Sequence, residues 1–342
     1  MKYVSKAPFR IGLAGGGTDV SPFSDNYGGN VLNATIDLYA TTILIPREDG
    51  KIIINARNNN LRVELDSKEV LEDVEDLSLQ IGVYNHIVKN FTKKALSFEL
   101  ITTIDVPTGS GLGTSSTIAI SILGAFMEWL KLPLGEYEIA QMAVNIERNE
   151  LQMAGGKQDQ YAATFGGFNF MEFYEENRVI VNPLRVKNSI IRDLNYHLLL
   201  FYTRTKRSSS DIIEVQKKNF ANQVGEVINA SKELKRQAVK MKEALLFGEL
   251  EEIGSILNLG WENKKKLAKG ISNKKVESIY NTAIEAGAIG GKISGAGGGG
   301  FMIFYCPKNT KFAVIDALAE IGVLHQLYTF QNKGLETWTS QL

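Results

Sequence analysis

Apolar and polar positions alternate along several short segments of the chain, and longer apolar-rich segments separate them. In residues 96–100 the alternation is regular, and Ile104 continues the apolar face, a pattern typical of a half-buried strand. Apolar or β-branched residues predict further strands at 40–46, 52–56, 165–172, 198–202, 301–305 and 327–330. The Glu-Asp-Gly turn at 48–50 predicts a hairpin between the first two of these strands.

Helical patterns lie between the predicted strands. They are expected at 117–130, which is apolar nearly all round, and at 136–149, 210–247, 272–287 and 311–321. Ser210 with Asp211 is expected to cap the third of these helices, and Ser272 the fourth. The lysine run 264–266 predicts a solvated helix face. The alternation of strands and helices favours an α+β or α/β fold.

Composition limits the class of protein. The chain has 342 residues, 44% apolar and 22% charged, and its 38 basic and 38 acidic residues balance. This length permits one large domain or two ordinary ones, and we expect a boundary near 185–195 that divides the chain into 1–190 and 191–342. Zero net charge gives no reason to expect a nucleic-acid or membrane partner. Cys306 is the single cysteine, which excludes an internal disulfide and favours the cytoplasm; neither a signal peptide nor a membrane span is expected.

The segment Pro107 to Ser116 reads Pro-Thr-Gly-Ser-Gly-Leu-Gly-Thr-Ser-Ser, and it joins a predicted strand to a predicted helix. Its glycines permit close backbone approach to an anion, and the helix start offers free N–H groups and the positive end of the dipole. The hydroxyl groups that follow can reach Mg²⁺ carried by phosphates. The segment lacks the lysine of a Walker A loop and the last glycine of a dinucleotide fingerprint. It predicts nucleoside triphosphate binding and points to a kinase.

Two more glycine clusters, at 12–17 and 290–300, are bordered by polar or charged residues. The second contains a literal Gly-x-Gly-x-x-Gly match at 295–300, but a predicted strand follows it where the dinucleotide-binding motif requires a helix. Three such clusters indicate loops that converge on one phosphorylated ligand.

Three motifs together resemble the GHMP kinases, the family of galactokinase, homoserine kinase, mevalonate kinase and phosphomevalonate kinase. They are Lys6 to Asp19, Pro107 to Ser116 and Lys292 to Gly300, in the family's order and spacing. The resemblance covers nearly the whole chain and implies an α+β fold of two domains. The N-terminal domain would be ribosomal-S5-domain-2-like with a left-handed β-α-β unit, and the C-terminal domain ferredoxin-like α/β. ATP would lie between them over the second motif.

The resemblance also implies roles for individual residues. Asp159 matches the catalytic base or alignment residue, Arg10 a cation beside it, and Ser115 and Glu147 the Mg²⁺ ligands. Such residues suit phosphoryl transfer, because a carboxylate can take the acceptor's proton while a cation screens the phosphate. Nucleotide contacts are expected from Pro107, Gly109, Ser110, Gly111, Leu112, Gly113, Thr114, Ser115 and Ser116. Acceptor contacts are expected from Gly15, Gly16, Gly17, Thr18, Asp19, Gly295, Ala296, Gly297 and Gly298.

Two departures from the galactokinase pattern narrow the acceptor. Gly16 and Gly17 stand where galactokinases carry Glu-His, which leaves room for a bulkier molecule, while Thr18-Asp19 argues for a sugar. Lys157 stands two residues before Asp159, and such a cation in the catalytic site is expected to favour an anionic acceptor.

The motifs most resemble the sugar branch that contains the heptose 7-phosphate kinases and the L-fucokinase domains. This resemblance implies phosphorylation of the anomeric hydroxyl of a heptose 7-phosphate, towards GDP-heptose for surface polysaccharide, by a monomer or homodimer. The acceptor's phosphate is expected on Arg204, Arg207 and Ser208, in a basic segment before a predicted helix start, unless that segment is a solvated loop. A kinase for free fucose or a galactose-like hexose stays open, as does a non-catalytic sensor of ATP and sugar.

Overall fold

The computed structural model of the chain describes residues 1–205 and 209–341. Over these residues the strands are β1 (Lys2–Ala14), β2 (Gly29–Pro46), β3 (Lys51–Ala56), β4 (Leu61–Asp66), β5 (Phe98–Ile104), β6 (Phe168–Phe173), β7 (Val179–Pro183), β8 (Leu198–Tyr202), β9 (Gly290–Ile293), β10 (Phe301–Tyr305), β11 (Leu324–Gln326) and β12 (Glu336–Ser340). The helices are α1 (Phe23–Tyr27), α2 (Ser78–Ile87), α3 (Thr114–Leu130), α4 (Glu136–Asn145), α5 (Gln158–Phe165), α6 (Asn188–His197), α7 (Ser209–Ala221), α8 (Gly225–Phe247), α9 (Leu250–Lys265), α10 (Lys274–Glu285) and α11 (Lys311–Glu320). π-Helical turns at Val88–Thr92 and Ile146–Glu150 extend α2 and α4. None of the helices in the described ranges is both long and apolar enough to cross a membrane.

The first sheet is built around the long strand β2. Its order is β12-β1-β2-β5-β3-β4, and β6 pairs with the first part of β2 and with β7. The apolar helix α3 packs on β1 and β2 with one face and on α2, α4 and α5 with others, which is why the sequence at 117–130 is apolar nearly all round. Two irregularities interrupt the pairing of β1 with β2, at Pro8/Arg10 and Gly12/Ala14. The first lies in the middle of β1, and the second lies near its end, where the first glycine motif leaves the sheet.

The second sheet contains four antiparallel strands in the order β11-β8-β10-β9. Counted along the chain this order is 4-1-3-2, which is that of a ferredoxin-like sheet. Helices α7 to α10 connect β8 to β9, and α11 connects β10 to β11. The two sheets and their helices confirm the predicted α+β fold. The limits of the two domains stay a prediction, since β12 returns from the end of the chain to the first sheet.

One buried apolar cluster is shared by both sheets. It includes Phe9 and Ile11 of β1, Leu200 of β8, Met241 of α8 and Ile303 of β10, none of which exposes any surface. Full burial of such side chains stabilises a fold by about 1.5–3 kcal/mol each. The common core therefore holds the end of β1 against the second sheet and brings the first and third glycine motifs together.

The predicted hairpin between 40–46 and 52–56 is wrong. β5 lies between β2 and β3, antiparallel to β2 and parallel to β3. β3 forms its hairpin with β4 instead. The turn residues at 48–50 favour a local hairpin. The position of β5 between β2 and β3 depends instead on pairing between distant parts of the chain.

The helical region predicted at 210–247 is divided into α7 and α8. The break falls at 222–224, where Gln223 adopts a φ of 52°. The solvated face predicted at 264–266 is wrong for Lys264, which lies on α9 and is 5% exposed.

Two details near the C-terminus also differ from the prediction. Asn273 caps α10 in place of Ser272, because its side chain accepts the N–H of Val276 at 3.1 Å. The strand predicted at 327–330 is absent over those described residues, where Phe330 makes only an isolated bridge with Ile36.

Candidate active site

A cleft that is open to solvent lies between the two halves of the molecule. Its lining comes from parts of 10–20, 109–116, 147–159, 213–216, 264 and 292–296. Parts of all three glycine motifs therefore face one space, together with the start of α5.

The glycine loop before α3 requires its glycines. Gly109, Gly111 and Gly113 have φ values of 72°, 81° and 82°, a region that other residues rarely adopt. A Cβ on Gly111 would stand 2.6 Å from the carbonyl oxygen of Ser294, so the second and third motifs are in contact. Gly113 caps α3, whose first N–H groups have no partner within the helix. This helix start is suited to an anion.

The predicted nucleotide contacts divide into two groups. The residues that line the cleft are Gly109, Gly111, Gly113, Thr114, Ser115 and Ser116. Leu112 is fully buried in the core, and the buried hydroxyl of Ser110 lies 3.0 Å from that of Thr114. These two side chains support the loop, and the nucleotide contacts of Ser110 and Leu112 stay predictions. Pro107 is exposed outside the cleft.

Arg10 and Asp159 form an ion pair in the cleft. Nε of Arg10 donates to Oδ1 of Asp159 at 2.7 Å, and Nη2 lies 2.6 Å from the same oxygen. Nη1 donates to the carbonyl oxygen of Gly111 at 2.9 Å. Arg10 is 3% exposed, so it links the carboxylate to the glycine loop from within the protein.

Glu147 is 1% exposed and lines the same cleft. Its carboxylate accepts the hydroxyl of Ser116 at 3.1 Å and the amide of Gln160. Burial raises the pKa of Glu147 above its ordinary value, so a cation at this carboxylate would favour its charged form. Ser115 is exposed at the start of α3 and lines the cleft, but Ser116 is the residue that bonds Glu147.

The oxygen donors beside Glu147 fit Mg²⁺. Within 1–205 and 209–341, no group of three His, Cys, Asp or Glu side chains is arranged to hold a metal ion. Mg²⁺ is commonly held by one or two carboxylates together with water and substrate phosphates, and the hydroxyls at 114–116 add hard oxygen donors. Oε1 of Gln160, on the side chain that donates to Glu147, is buried without a partner.

Asp19 ties the first glycine motif to the start of α5. Its carboxylate accepts the N–H groups of Gly17 at 3.1 Å, Lys157 at 2.9 Å and Gln158 at 3.1 Å. The side-chain amide of Gln158 is a fourth donor at 3.0 Å. Because a carboxylate has about four acceptor sites, its oxygens are already satisfied. The contact of Asp19 with an acceptor hydroxyl stays a prediction.

Four of the residues that were predicted to contact the acceptor make contacts with other parts of the protein. The buried hydroxyl of Thr18 donates to the carbonyls of Gly15 and Asn30 at 2.8 and 2.9 Å, and a Cβ on Gly15 would meet that Asn30 oxygen at 1.9 Å. The N–H of Gly298 donates to Ile271 at 2.8 Å, and Gly297 also packs on Ile271. Gly15, Thr18, Gly297 and Gly298 do not line the cleft, and their contacts with an acceptor stay predictions. Gly16, Gly17, Gly295 and Ala296 do line it.

The cations predicted for the acceptor lie elsewhere. Lys157 is 6% exposed, its Nζ lies 3.4 Å from Oδ1 of Asp25, and it does not line the cleft. Its ammonium group faces a carboxylate on α1 in place of the cleft, and its role as a catalytic-site cation stays a prediction. Arg204 is exposed and also outside the cleft. Arg207 and Ser208 lie outside the described residues, as does Lys206.

Lys264 and Lys292 also line the cleft, although neither was predicted there from the sequence. Their Nζ atoms lie 3.4 Å from the carbonyl oxygen of Gly16 and 2.7 Å from that of Gly12. Lys292 is the first residue of the third motif, so the motif indicated that this lysine lies near the site. Lys264 continues the buried positions of α9, Ile253, Leu257 and Gly260, at the spacing of a helix face.

Comparisons with known proteins agree with this architecture. The family model described as GHMP kinases N terminal domain matches residues 78–167, and the model described as GHMP kinases C terminal matches 241–324. The first region contains the glycine loop, Glu147 and Asp159. The second contains Lys264 and the third motif.

Similar proteins cover the chain at full length. D-glycero-alpha-D-manno-heptose 7-phosphate kinase of Campylobacter jejuni is 48% identical over 98% of both chains. The crystal structure of a D-glycero-D-manno-heptose 1-phosphate kinase from Bacteroides thetaiotaomicron has a TM-score of 0.85 and 42% identity, over 99% of this chain and 100% of that one. L-fucokinase/L-fucose-1-P guanylyltransferase of Bacteroides fragilis is 28% identical over 90% of this chain and 35% of its own length. The chain belongs to the GHMP kinase family.

Proposed function

We propose that this protein is a sugar kinase that transfers the γ-phosphoryl group of ATP to the anomeric C1 hydroxyl of D-glycero-D-manno-heptose 7-phosphate. The observation that carries the proposal is the double contact of Arg10, which donates both to Asp159 and to the Gly111 carbonyl. A carboxylate that can accept a proton thus lies against a loop suited to phosphate.

In the proposed step the acceptor oxygen forms a bond to the γ-phosphorus, the bond from phosphorus to the β–γ bridging oxygen breaks, and ADP leaves. Asp159 takes the hydroxyl proton at Oδ2, for which no hydrogen-bond partner is found among the described residues. Oδ1 is held by Arg10. Arg10 thereby orients the carboxylate and places positive charge near the transferred group.

The nucleotide is proposed to lie over 109–116, with its phosphates at the start of α3. Ser115 and Glu147 are the proposed protein ligands of Mg²⁺, and the hydroxyl of Ser116 fixes the carboxylate of Glu147. When bound, Mg²⁺ neutralises charge on the phosphates.

A heptose phosphate is the acceptor that two observations support. Relatives at 48% and 42% identity are named heptose 7-phosphate and heptose 1-phosphate kinases. The cleft wall at Gly16 and Gly17 carries no side chains, which suits a sugar longer than a hexose. The proposed product is the 1,7-bisphosphate, a precursor of GDP-heptose for surface polysaccharide.

Two other functions remain as alternatives. A free-sugar kinase has support from the fucokinase relative at 28% identity. A non-catalytic sensor of ATP and sugar would not require Ser115, Glu147 and Asp159 to line one cleft, as they do here.

An assay of ADP release over a panel of acceptors tests the proposal. The panel contains heptose 7-phosphate, the unphosphorylated heptose, L-fucose, galactose and mevalonate, and phosphorus NMR of the product identifies the phosphorylated carbon. We expect heptose 7-phosphate to give the highest kcat/KM and a new phosphate at C1. Equal turnover of fucose or galactose would favour the free-sugar kinase, and binding of ATP without ADP release from any acceptor would favour the sensor.

A further inference from the structure

Lys264 and Lys292 are two buried cations that the proposed phosphoryl transfer does not use. They are 5% and 6% exposed, and both line the cleft. Lys264 comes from α9 and Lys292 from β9, so the second half of the molecule supplies both. Their Nζ atoms approach the first glycine motif at Gly16 and Gly12.

The other buried cations of the region have carboxylate partners. Arg10 is paired with Asp159, and Lys157 lies 3.4 Å from Asp25. Neither Lys264 nor Lys292 forms an ion pair with any carboxylate in the described ranges. Each has one backbone carbonyl as its hydrogen-bond acceptor. Because an ammonium group has three N–H donors, two donors of each lysine have no acceptor among residues 1–205 and 209–341.

Such an arrangement is costly without an anion. Desolvation of an ammonium group is expensive unless a counter-charge or several hydrogen bonds replace its water. Burial lowers the pKa of Lys264 to about 8, the carboxylates of Asp19 and Asp159 act to raise it, and Arg10 acts to lower it. Burial also lowers the pKa of Lys292 well below its ordinary value, and the positive charges of Lys264 and Arg10 act in the same direction. A dianion with several oxygens would satisfy the unused donors and restore the charge of both lysines.

Contacts within the protein show which parts of the cleft wall are neighbours of the two lysines. The glycine loop meets Asp159 at Gly113, and Arg10 joins that carboxylate to the same loop at Gly111. The wall continues along the chain from Arg10 to Gly12, where Lys292 lies, and to Gly16, where Lys264 lies. The two lysines thus lie on the part of the wall formed by the first motif, where Gly12 and Gly16 also face the side chain of Gln158, the residue before Asp159.

We infer that Lys264 and Lys292 together form the site for the phosphate ester that the acceptor already carries, and that they determine the preference for a phosphorylated sugar. This inference rests on the proposed kinase function and assigns its anion-binding residues. It replaces Lys157, which pairs with Asp25. A different role would be contact with the γ-phosphoryl group during transfer, and the test separates the two.

The first experiment compares two acceptors in variants of one helix. Lys264→Met removes the charge and keeps an unbranched side chain, while Lys266→Met changes an exposed neighbour as the matched control. Wild type and control are expected to prefer heptose 7-phosphate over the unphosphorylated heptose. In Lys264→Met we expect KM for heptose 7-phosphate to rise about 10- to 100-fold, the range for a lost charge-assisted hydrogen bond, with a much smaller effect on the unphosphorylated sugar.

Equal losses of kcat on both acceptors would overturn the inference, because they would place Lys264 on the transferred group. An unchanged preference in Lys264→Met would overturn it as well, while the kinase assignment would stand. If wild type does not use heptose 7-phosphate at all, the proposed function fails first, and the two failures are therefore distinguishable.

The second experiment measures binding without turnover. With the nucleotide site filled by Mg²⁺ and a non-hydrolysable ATP analogue, inorganic phosphate is titrated and the melting temperature is followed. Wild type and Lys266→Met should be stabilised by phosphate but not by equal ionic strength of chloride, and both Lys264→Met and Lys292→Met should lose this shift. The melting temperature without phosphate reports whether each variant is folded. A phosphate shift that persists in a folded Lys264→Met protein would contradict the inference.

Discussion

Gly113 lies against the side chain of Asp159, since a Cβ at position 113 would stand 3.0 Å from Cγ and 3.1 Å from Oδ2 of that residue. Gly113 also has a φ of 82° as the residue that caps α3. Glycine at this position therefore meets two requirements, a left-handed backbone and space for the carboxylate. The glycine loop and the acidic residue form one packed unit.

Replacement of Gly113 by alanine should affect both stability and turnover. A left-handed residue other than glycine costs about 1–2 kcal/mol, and the new methyl group would displace Asp159. We expect a lower free energy of unfolding in urea and a kcat reduced by more than the stability loss explains. Gly50→Ala is the control, because Gly50 has a φ of 69° with no neighbour near its Cβ; it should lose stability and keep its kcat. Equal kcat in the two variants would show that Asp159 tolerates the displacement.

Asp159→Asn should abolish most turnover while the nucleotide still binds. The carboxamide keeps the size of the side chain but cannot take a proton, and general base catalysis contributes about 10²–10⁴-fold. We expect kcat to fall by that factor, with ATP affinity nearly unchanged in calorimetry. Asp66→Asn, at an exposed position on the first sheet, is the control. A change confined to KM would show that Asp159 only binds the acceptor.

Glu147→Gln should weaken the binding of Mg²⁺ to the protein. The glutamine can still contact Ser116 but removes the charge, so the Mg²⁺ concentration for half-maximal rate should rise and kcat should fall, with a folded protein by circular dichroism. Glu150→Gln changes a residue of the same π-helical turn that bonds His86 and should behave like wild type. An unchanged rate and unchanged Mg²⁺ requirement in Glu147→Gln would remove Glu147 from the site.

Local signals explain what the sequence predicted. The glycine loop and α3 are adjacent in the chain, so glycine spacing and apolar periodicity were enough to identify them. Asp159 and Glu147 were found through the resemblance to GHMP kinases, and both line the cleft. The sequence does not show in which direction a side chain points. Lys157 was therefore predicted in the catalytic site, although its ammonium group pairs with Asp25.

Contacts between distant segments explain what the sequence missed. Lys264 stands in a run of three lysines that reads as solvated, and its burial depends on how α9 packs against the first glycine motif. The insertion of β5 between β2 and β3 likewise depends on a pairing that no local turn specifies. The helical spacing of residues in α9 indicated part of the burial of Lys264, because Gly260 and Lys264 continue the buried face of that helix.

Asp19→Ala should destabilise the protein strongly. The change would remove an acceptor of four hydrogen bonds and leave the N–H groups of Lys157 and Gln158 without their partner. With about 1–3 kcal/mol for each of these two buried donors left unpaired, we expect a loss of about 2–6 kcal/mol in urea unfolding. Thr18→Ala, which affects the same loop through two hydroxyl contacts, should cost less. A raised KM for the acceptor with unchanged stability would instead support direct binding of a sugar hydroxyl by Asp19.

Binding of a phosphorylated acceptor should weaken as the pH rises through about 8. Burial lowers the pKa of Lys264 to about 8, the carboxylates of Asp19 and Asp159 act to raise it, and Arg10 acts to lower it further. Lys292, on the neighbouring strand, has its pKa lowered by burial and by Lys264. Lys264 is charged below its pKa and neutral above it, so its attraction for a phosphate dianion is present below pH 8 and is lost above it.

The measurement is kcat/KM for heptose 7-phosphate between pH 7 and pH 9.5. A phosphate ester loses its second proton near pH 6, so the acceptor's own charge is constant over this interval. Loss of one proton gives at most about a tenfold fall per pH unit, and it should be absent for the unphosphorylated heptose. Lys264→Met should remove the fall near pH 8, whereas Lys266→Met should retain it. The same decline in wild type and in Lys264→Met would show that a different group controls the binding of the phosphate.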